Sequence, residues 1–93
     1  MDENKKICIH CHIIGRVQGV WYRSSAQKKA QEMGITGWAK NLDDGRVEVM
    51  ACGETAKVKE FVKWLWDGPM LANVSDVDGE QVDWEKHTGF EVL

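Results

Sequence analysis

A strand that passes through glycines straight into a helix is the feature of this sequence that most constrains its fold. Ile7, Ile9, Cys11 and Ile13 alternate with Cys8, His10 and His12, the period of two expected of a strand with one buried face. That run enters Gly15. Beyond Gly19, the residues Tyr22, Ala26, Ala30 and Met33 recur at spacings of four, four and three, which aligns them on one helical stripe, and Gly34 suits the left-handed residue that closes many helices. Strand, glycine loop and amphipathic helix therefore open the domain.

The same periodicities order the rest of the chain. Trp38, Lys40 and Leu42 alternate with Gly37, Ala39 and Asn41, and Asp43-Asp44-Gly45 is a strong turn signal before Arg46–Cys52, so these segments read as a hairpin. Val58, Phe61, Val62 and Leu65 follow helical spacing between a cap expected near Thr55 and the breaking pair Gly68-Pro69. An irregular extended region around Val74, Val77, Val82 and Trp84 precedes a short Phe90–Leu93 segment. Strand, helix, strand, strand, helix, strand is the order of a split βαβ unit. The expected fold is α+β: a ferredoxin-like sandwich, with two helices on one face of a mainly antiparallel sheet of four or five strands. With 93 residues, 43% of them hydrophobic and only one proline, residues 1–93 form a single domain able to bury roughly 60 to 70% of its unfolded surface. Buried packing is the expected use of Trp38, Trp64, Trp66 and Trp84, while Trp21 sits inside the glycine loop.

Charge narrows the partners. The net charge of −3 argues against a general nucleic-acid binder, and the outer positions of the first and third strands, Cys8, His10, His12, Glu48 and Met50, offer no aromatic platform for bases. No run approaches the roughly 18 apolar residues of a membrane span, and Met1–Lys6 leads directly into the first strand without an apolar signal core. The cytoplasm is the expected location and a monomer the expected state. Residues 4–31 hold Lys5, Lys6, Arg16, Arg23, Lys28 and Lys29 without a carboxylate, whereas residues 67–93 carry seven acids against Lys86. An anion site belongs in the first third.

Gly15 and Gly19 bracket the strand-to-helix turn, where successive backbone N–H groups can converge on an anion and the helix dipole adds favourable potential. Arg23 falls in the first helical turn, so its planar guanidinium can pair with phosphate oxygens while the loop amides surround the others. A glycine turn with a surface arginine is the other reading of the same residues. A Walker loop is not, since no Gly-x4-Gly-Lys-Ser/Thr is present.

The segment Gly15-Arg16-Val17-Gln18-Gly19-Val20-Trp21-Tyr22-Arg23 resembles the signature of the acylphosphatase family, Gly-x-Val-Gln-Gly-Val-x-aromatic-Arg, and Gly37–Val47 resembles the family's second signature. The likeness extends over essentially the whole chain; Tyr22 stands where the family often has phenylalanine, and the stretch around Gly79 is the least constrained part. It implies a hydrolase acting on the carboxyl-phosphate bond of a small acyl phosphate and releasing inorganic phosphate, with no cofactor and no metal. It further implies that Arg23 binds the phosphoryl group together with amides of Gln18, Gly19, Val20, Trp21 and Tyr22, and that Asn41 positions the attacking water. A non-catalytic module of the same fold, binding phosphate or carbamoyl phosphate, is the alternative; the presence of both Arg23 and Asn41 favours turnover. The loop specifies phosphate and leaves the acyl group open, with Trp21 a candidate contact.

Cys8-Ile9-His10-Cys11-His12 looks like a metal motif, but a strand puts Cys8, His10 and His12 on one face and Cys11, with the isoleucines, on the other. The ligand set is split, and no metal site is expected. If the first strand pairs antiparallel with the third, as this fold requires, Cys8 faces Cys52 and His12 lies near Glu48. A Cys8–Cys52 disulfide is then geometrically open, although a cytoplasmic setting favours free thiols. His87 is expected to be structural or solvated.

Overall fold

β1 (Lys6–Arg16) forms the spine of the fold in the computed structural model, which describes residues 5–93. Ile7, Cys11 and Ile13 are buried on its helix-facing side, whereas His10 and His12 on the opposite face are only partly covered and Cys8 on that face is buried. The chain continues through α1 (Tyr22–Met33), β2 (Thr36–Asn41), β3 (Val47–Glu54), α2 (Thr55–Asp67), β4 (Asn73–Val82) and β5 (Phe90–Val92). The strands make one sheet in the order β4-β1-β3-β2-β5, antiparallel except for the parallel β2–β5 pair. Both helices pack on one face, giving the expected ferredoxin-like α+β sandwich with five strands. Among the described residues, no helix is long and apolar enough to cross a membrane.

The core lies between sheet and helices. Ile13, Val47, Val49 and Ala51 supply the sheet side, Ala26 and Ala30 the α1 side, and Val58, Phe61 and Leu65 the α2 side, all of them buried. The predicted stripes of both helices are thus the buried ones. Tyr22 is also buried, and its hydroxyl donates to the Leu65 carbonyl at 2.6 Å, satisfying one of the carbonyls that the last turn of α2 leaves open. Burial pushes the Tyr22 hydroxyl well above its ordinary pKa, the charge on Cys11 adding to the effect. A tyrosine in the signature's aromatic position therefore ties α1 to the end of α2.

Three expectations change. Thr55 starts α2 but does not cap it: its N–H and its hydroxyl both donate to the Lys5 carbonyl, at 3.0 and 2.7 Å. Trp66 and Trp84 are 47% and 41% exposed, not buried; Trp66 lies just off the α2 stripe, and Trp84 stacks beneath the Lys6 ammonium at 5.2 Å. Finally, Cys8 and Cys52 are joined in a disulfide where free thiols were expected. The β1–β3 register places them directly opposite one another. Cys11 remains a buried free thiol on the core face.

Candidate active site

Between β1 and α1 the chain makes a turn whose two valines point down into the core. Val17 and Val20 are buried at 1% and 4% exposure, which pins the loop to the core. Gly19 sits at φ +73°, and no atom lies within 4 Å of where its Cβ would be, so backbone conformation alone selects glycine there. Gly15 answers to space. A Cβ at this position would stand 2.2 Å from the Asn73 carbonyl oxygen and 2.7 Å from the Ser75 nitrogen, because β4 bulges against β1 between Ile14 and Gly15. Gly15 thus admits β4, and Gly19 turns the loop.

Trp21 ends the turn at φ +66°, ψ +21°, the only non-glycine among the described residues with positive φ. A non-glycine residue held there costs on the order of 1 kcal/mol, and the Trp21 side chain is 75% exposed, so burial does not compensate. No side chain caps α1, and its first turn contains no acid. Instead, Arg23 stands there, a cation at the positive end of the helix dipole. By the rules of helix stability this placement is unfavourable; for an anion site it concentrates positive potential.

Gln18 joins this loop to the hairpin. Its side-chain amide donates to the carbonyls of Leu42 and Arg46, at 2.7 and 2.9 Å, clasping both sides of the β2–β3 turn. Leu42 follows Asn41 directly, so the clasp sets Asn41 against the loop. Within the turn, the Arg46 backbone N–H and guanidinium hydrogen-bond the Asp44 carboxylate; the backbone bond is the main cause holding that carboxyl below its usual range. β5 closes the other side. Gln27 donates to the Phe90 carbonyl at 2.9 Å and Arg23 Nη1 to the Leu93 carbonyl at 2.5 Å, so one side of α1 grips the strand beside β2.

The result is a cavity of about 410 Å³ lined by Val17, Gly19, Trp21, Tyr22, Arg23, Ser24, Asn41 and Val92. Arg23 and Asn41, 18 positions apart in sequence, meet in it, and no carboxylate lines it. Asn41 Oδ1 is buried and has no hydrogen-bond partner among the described residues, an uncommon condition for a buried polar atom. Of the other predicted site residues, Gly19, Trp21 and Tyr22 line the cavity. Gln18 and Val20 do not: the Gln18 side chain serves the hairpin clasp and the Val20 side chain the core. Sequence reasoning missed Val17, Ser24, Val92 and the Leu93 carbonyl. Ser24 had no motif to mark it, and the part played by β5 depends on a parallel pairing that local patterning cannot show.

The whole chain has close counterparts. The family model described as acylphosphatase matches residues 9–92. An acylphosphatase of Legionella pneumophila is 52% identical over 89 residues, covering 96% of this chain and 98% of the relative. Among solved structures, an acylphosphatase from Coxiella burnetii superposes with a TM-score of 0.91 at 45% identity, covering 95% of this chain and 93% of the other. The acylphosphatase from Bacillus subtilis superposes at 0.90 with 33% identity, covering 94% and 98%.

Proposed function

Because this chain belongs to the acylphosphatase family and hydrolyses the carboxyl-phosphate bond of acyl phosphates, we propose that Arg23 and the amides of Gln18–Tyr22 hold the phosphoryl group while Asn41 places the attacking water. The alternative of a non-catalytic binding module is not favoured, since relatives named acylphosphatase match it over nearly their full length. The observation that carries the assignment is the shared cavity, in which the unpaired Asn41 Oδ1 meets the same space as Arg23.

The chemistry asks little of the protein. A carboxylate is a good leaving group and needs no protonation, so the remaining barrier comes from aligning water in line with the breaking P–O bond and stabilising charge on the phosphoryl oxygens. Arg23 and the amides of the loop supply the second. Asn41 Oδ1 accepts a hydrogen bond from the water and orients its lone pair toward phosphorus. A neutral amide does this without repelling the dianionic substrate. As the O–P bond forms, the water's proton passes to a phosphoryl oxygen, and carboxylate and inorganic phosphate leave. Turnover therefore requires no metal. The exposed Trp21 ring with Val17 and Val92 forms an apolar wall suited to the acyl group. The chain acts as a monomer, all these groups coming from one copy; a cytoplasmic location, where a labile anhydride is met as it forms, also requires the Cys8–Cys52 disulfide to persist against a reducing thiol pool.

Hydrolysis of benzoyl phosphate in the presence of chelator tests the assignment. Arg23→Ala is expected to lower kcat/KM by about 100-fold or more, the scale on which an oriented charge-stabilising donor acts. Asn41→Ala should lower kcat by a similar factor with little change in KM. Wild-type kcat/KM in either folded variant would remove that residue from the mechanism.

A further inference from the structure

The helix-free face of the sheet carries a second constellation. β1 presents His10 and His12 on this face, and β3 presents Glu48 opposite His12. His10 Nε2 lies 2.6 Å from Glu48 Oε2 and His12 Nε2 lies 3.8 Å from the same oxygen. One ligand atom from each of the three residues falls within 4.8 Å of the other two. The two imidazoles meet edge to face with centroids 5.1 Å apart. All three side chains are partly covered, at 26%, 26% and 18% exposure, so their geometry is constrained while solvent retains access.

We propose that His10, His12 and Glu48 bind a divalent transition-metal ion of the zinc class. Two imidazoles and one carboxylate are a donor set that zinc accepts, leaving a further position for water. Two donors about 2.0–2.1 Å from a tetrahedral ion stand roughly 3.3 Å apart. The present separations of 2.6 and 3.8 Å bracket that value, and small side-chain rotations bring the atoms into place. On binding, each neutral imidazole donates its Nε2 lone pair, with its one ring proton held on Nδ1, and the Glu48 carboxylate supplies an oxygen lone pair in place of its contact with His10. The metal keeps its oxidation state.

Its surroundings favour a cation. In the β1–β4 register Asp78 stands opposite His12 and Glu80 opposite His10, and the β2–β3 register sets a single base, Lys40, opposite Glu48. The Trp38 ring flanks His10 with centroids 6.3 Å apart. The Cys8–Cys52 disulfide spans the same two strands and fixes β1 against β3, so the ligands are held before the ion arrives. It also withdraws Cys8 from the ligand set that the sequence motif suggested, and Glu48 takes its place. This face is separate from the Arg23–Asn41 cavity, and the proposal does not depend on how that cavity works.

Calorimetric titration of ZnCl2 into the full chain, disulfide intact, near neutral pH, is the test. One equivalent should bind and raise the thermal midpoint, and Co2+ should give the visible absorption of a low-coordinate site. Mg2+, which prefers oxygen donors, should give no binding heat. His10→Gln and His12→Gln should each weaken Zn2+ binding at least about tenfold, since even partners behind the ligands are worth that much, and His87→Gln should leave it unchanged. Both histidine variants replace partly exposed side chains, and far-ultraviolet circular dichroism establishes that each is folded. Absence of Zn2+ binding, unchanged affinity in both folded variants, loss of binding in His87→Gln, or binding only after the disulfide is reduced would each overturn the proposal.

Discussion

The two strand-to-helix junctions occupy equivalent places in the two halves of the fold and are connected differently. At the β3–α2 junction no loop intervenes: β3 ends at Glu54, α2 begins at Thr55, and both the N–H and hydroxyl of Thr55 are committed to the Lys5 carbonyl. At the β1–α1 junction five residues intervene, one of them a tryptophan in left-handed conformation, and an arginine occupies the uncapped first turn. The first junction is closed by backbone and side-chain hydrogen bonds. The second places Gly19, Trp21 and Arg23 along a cavity. Neither helix has a side-chain cap or an acid in its first turn, so the difference lies in the connection: among the described residues only the first junction holds a non-glycine residue in left-handed conformation.

Substitutions at each junction sharpen this contrast. Gly15→Ala should have the largest effect, since its Cβ meets β4 backbone at a φ of +132°; a loss of about 3 kcal/mol is expected from denaturant unfolding. A loss below about 1 kcal/mol would mean that the β1–β4 bulge adapts and the open junction is less rigid than described. Thr55→Val removes the hydroxyl from the closed junction while preserving shape. It should cost about 1 kcal/mol and leave benzoyl phosphate hydrolysis unaltered; reduced kcat would show that the two junctions are coupled.

The smallest effect is one of pH. Cys11 lies on the core face of β1 near Val62 of α2, and burial, with the charge of Asp78 adding, pushes its thiol from 9.0 up to about 11. Between those values the unfolded chain releases this proton and the folded chain keeps it, so the Cys11 contribution to stability falls as pH rises. Urea unfolding of wild type and Cys11→Ala across this range should show a shallower decline in the variant; parallel declines would assign the slope to other groups, the similarly raised Tyr22 among them.

What the sequence made legible follows the same division. Period-two and helical patterning located β1, both helices and the hairpin because each buries one face, and two signature segments pointed to Arg23 and Asn41. The Cys8–Cys52 and His12–Glu48 pairings followed from strand register alone. Register did not show that His10, diagonally placed, makes the shorter contact with Glu48, because that depends on side-chain rotamers. Nor could it assign Gln18 to a clasp across the hairpin, since both of its acceptors are backbone carbonyls carrying no sequence mark. Gly79 is intelligible only in three dimensions: a Cβ there would stand 2.7 Å from Cys11 Sγ.

The disulfide between Cys8 and Cys52 turns the intervening chain into a covalent ring, with 44 positions separating its ends. Closing a loop of that size restricts the unfolded chain by about 4 kcal/mol in the entropic treatment. The ring contains the glycine loop, α1, β2 and the hairpin turn, and with them both Arg23 and Asn41. A protease that cuts once inside it leaves two polypeptides that travel as one molecule until a reductant separates them. While oxidised, Arg23 and Asn41 therefore share a tether that a single backbone break cannot sever.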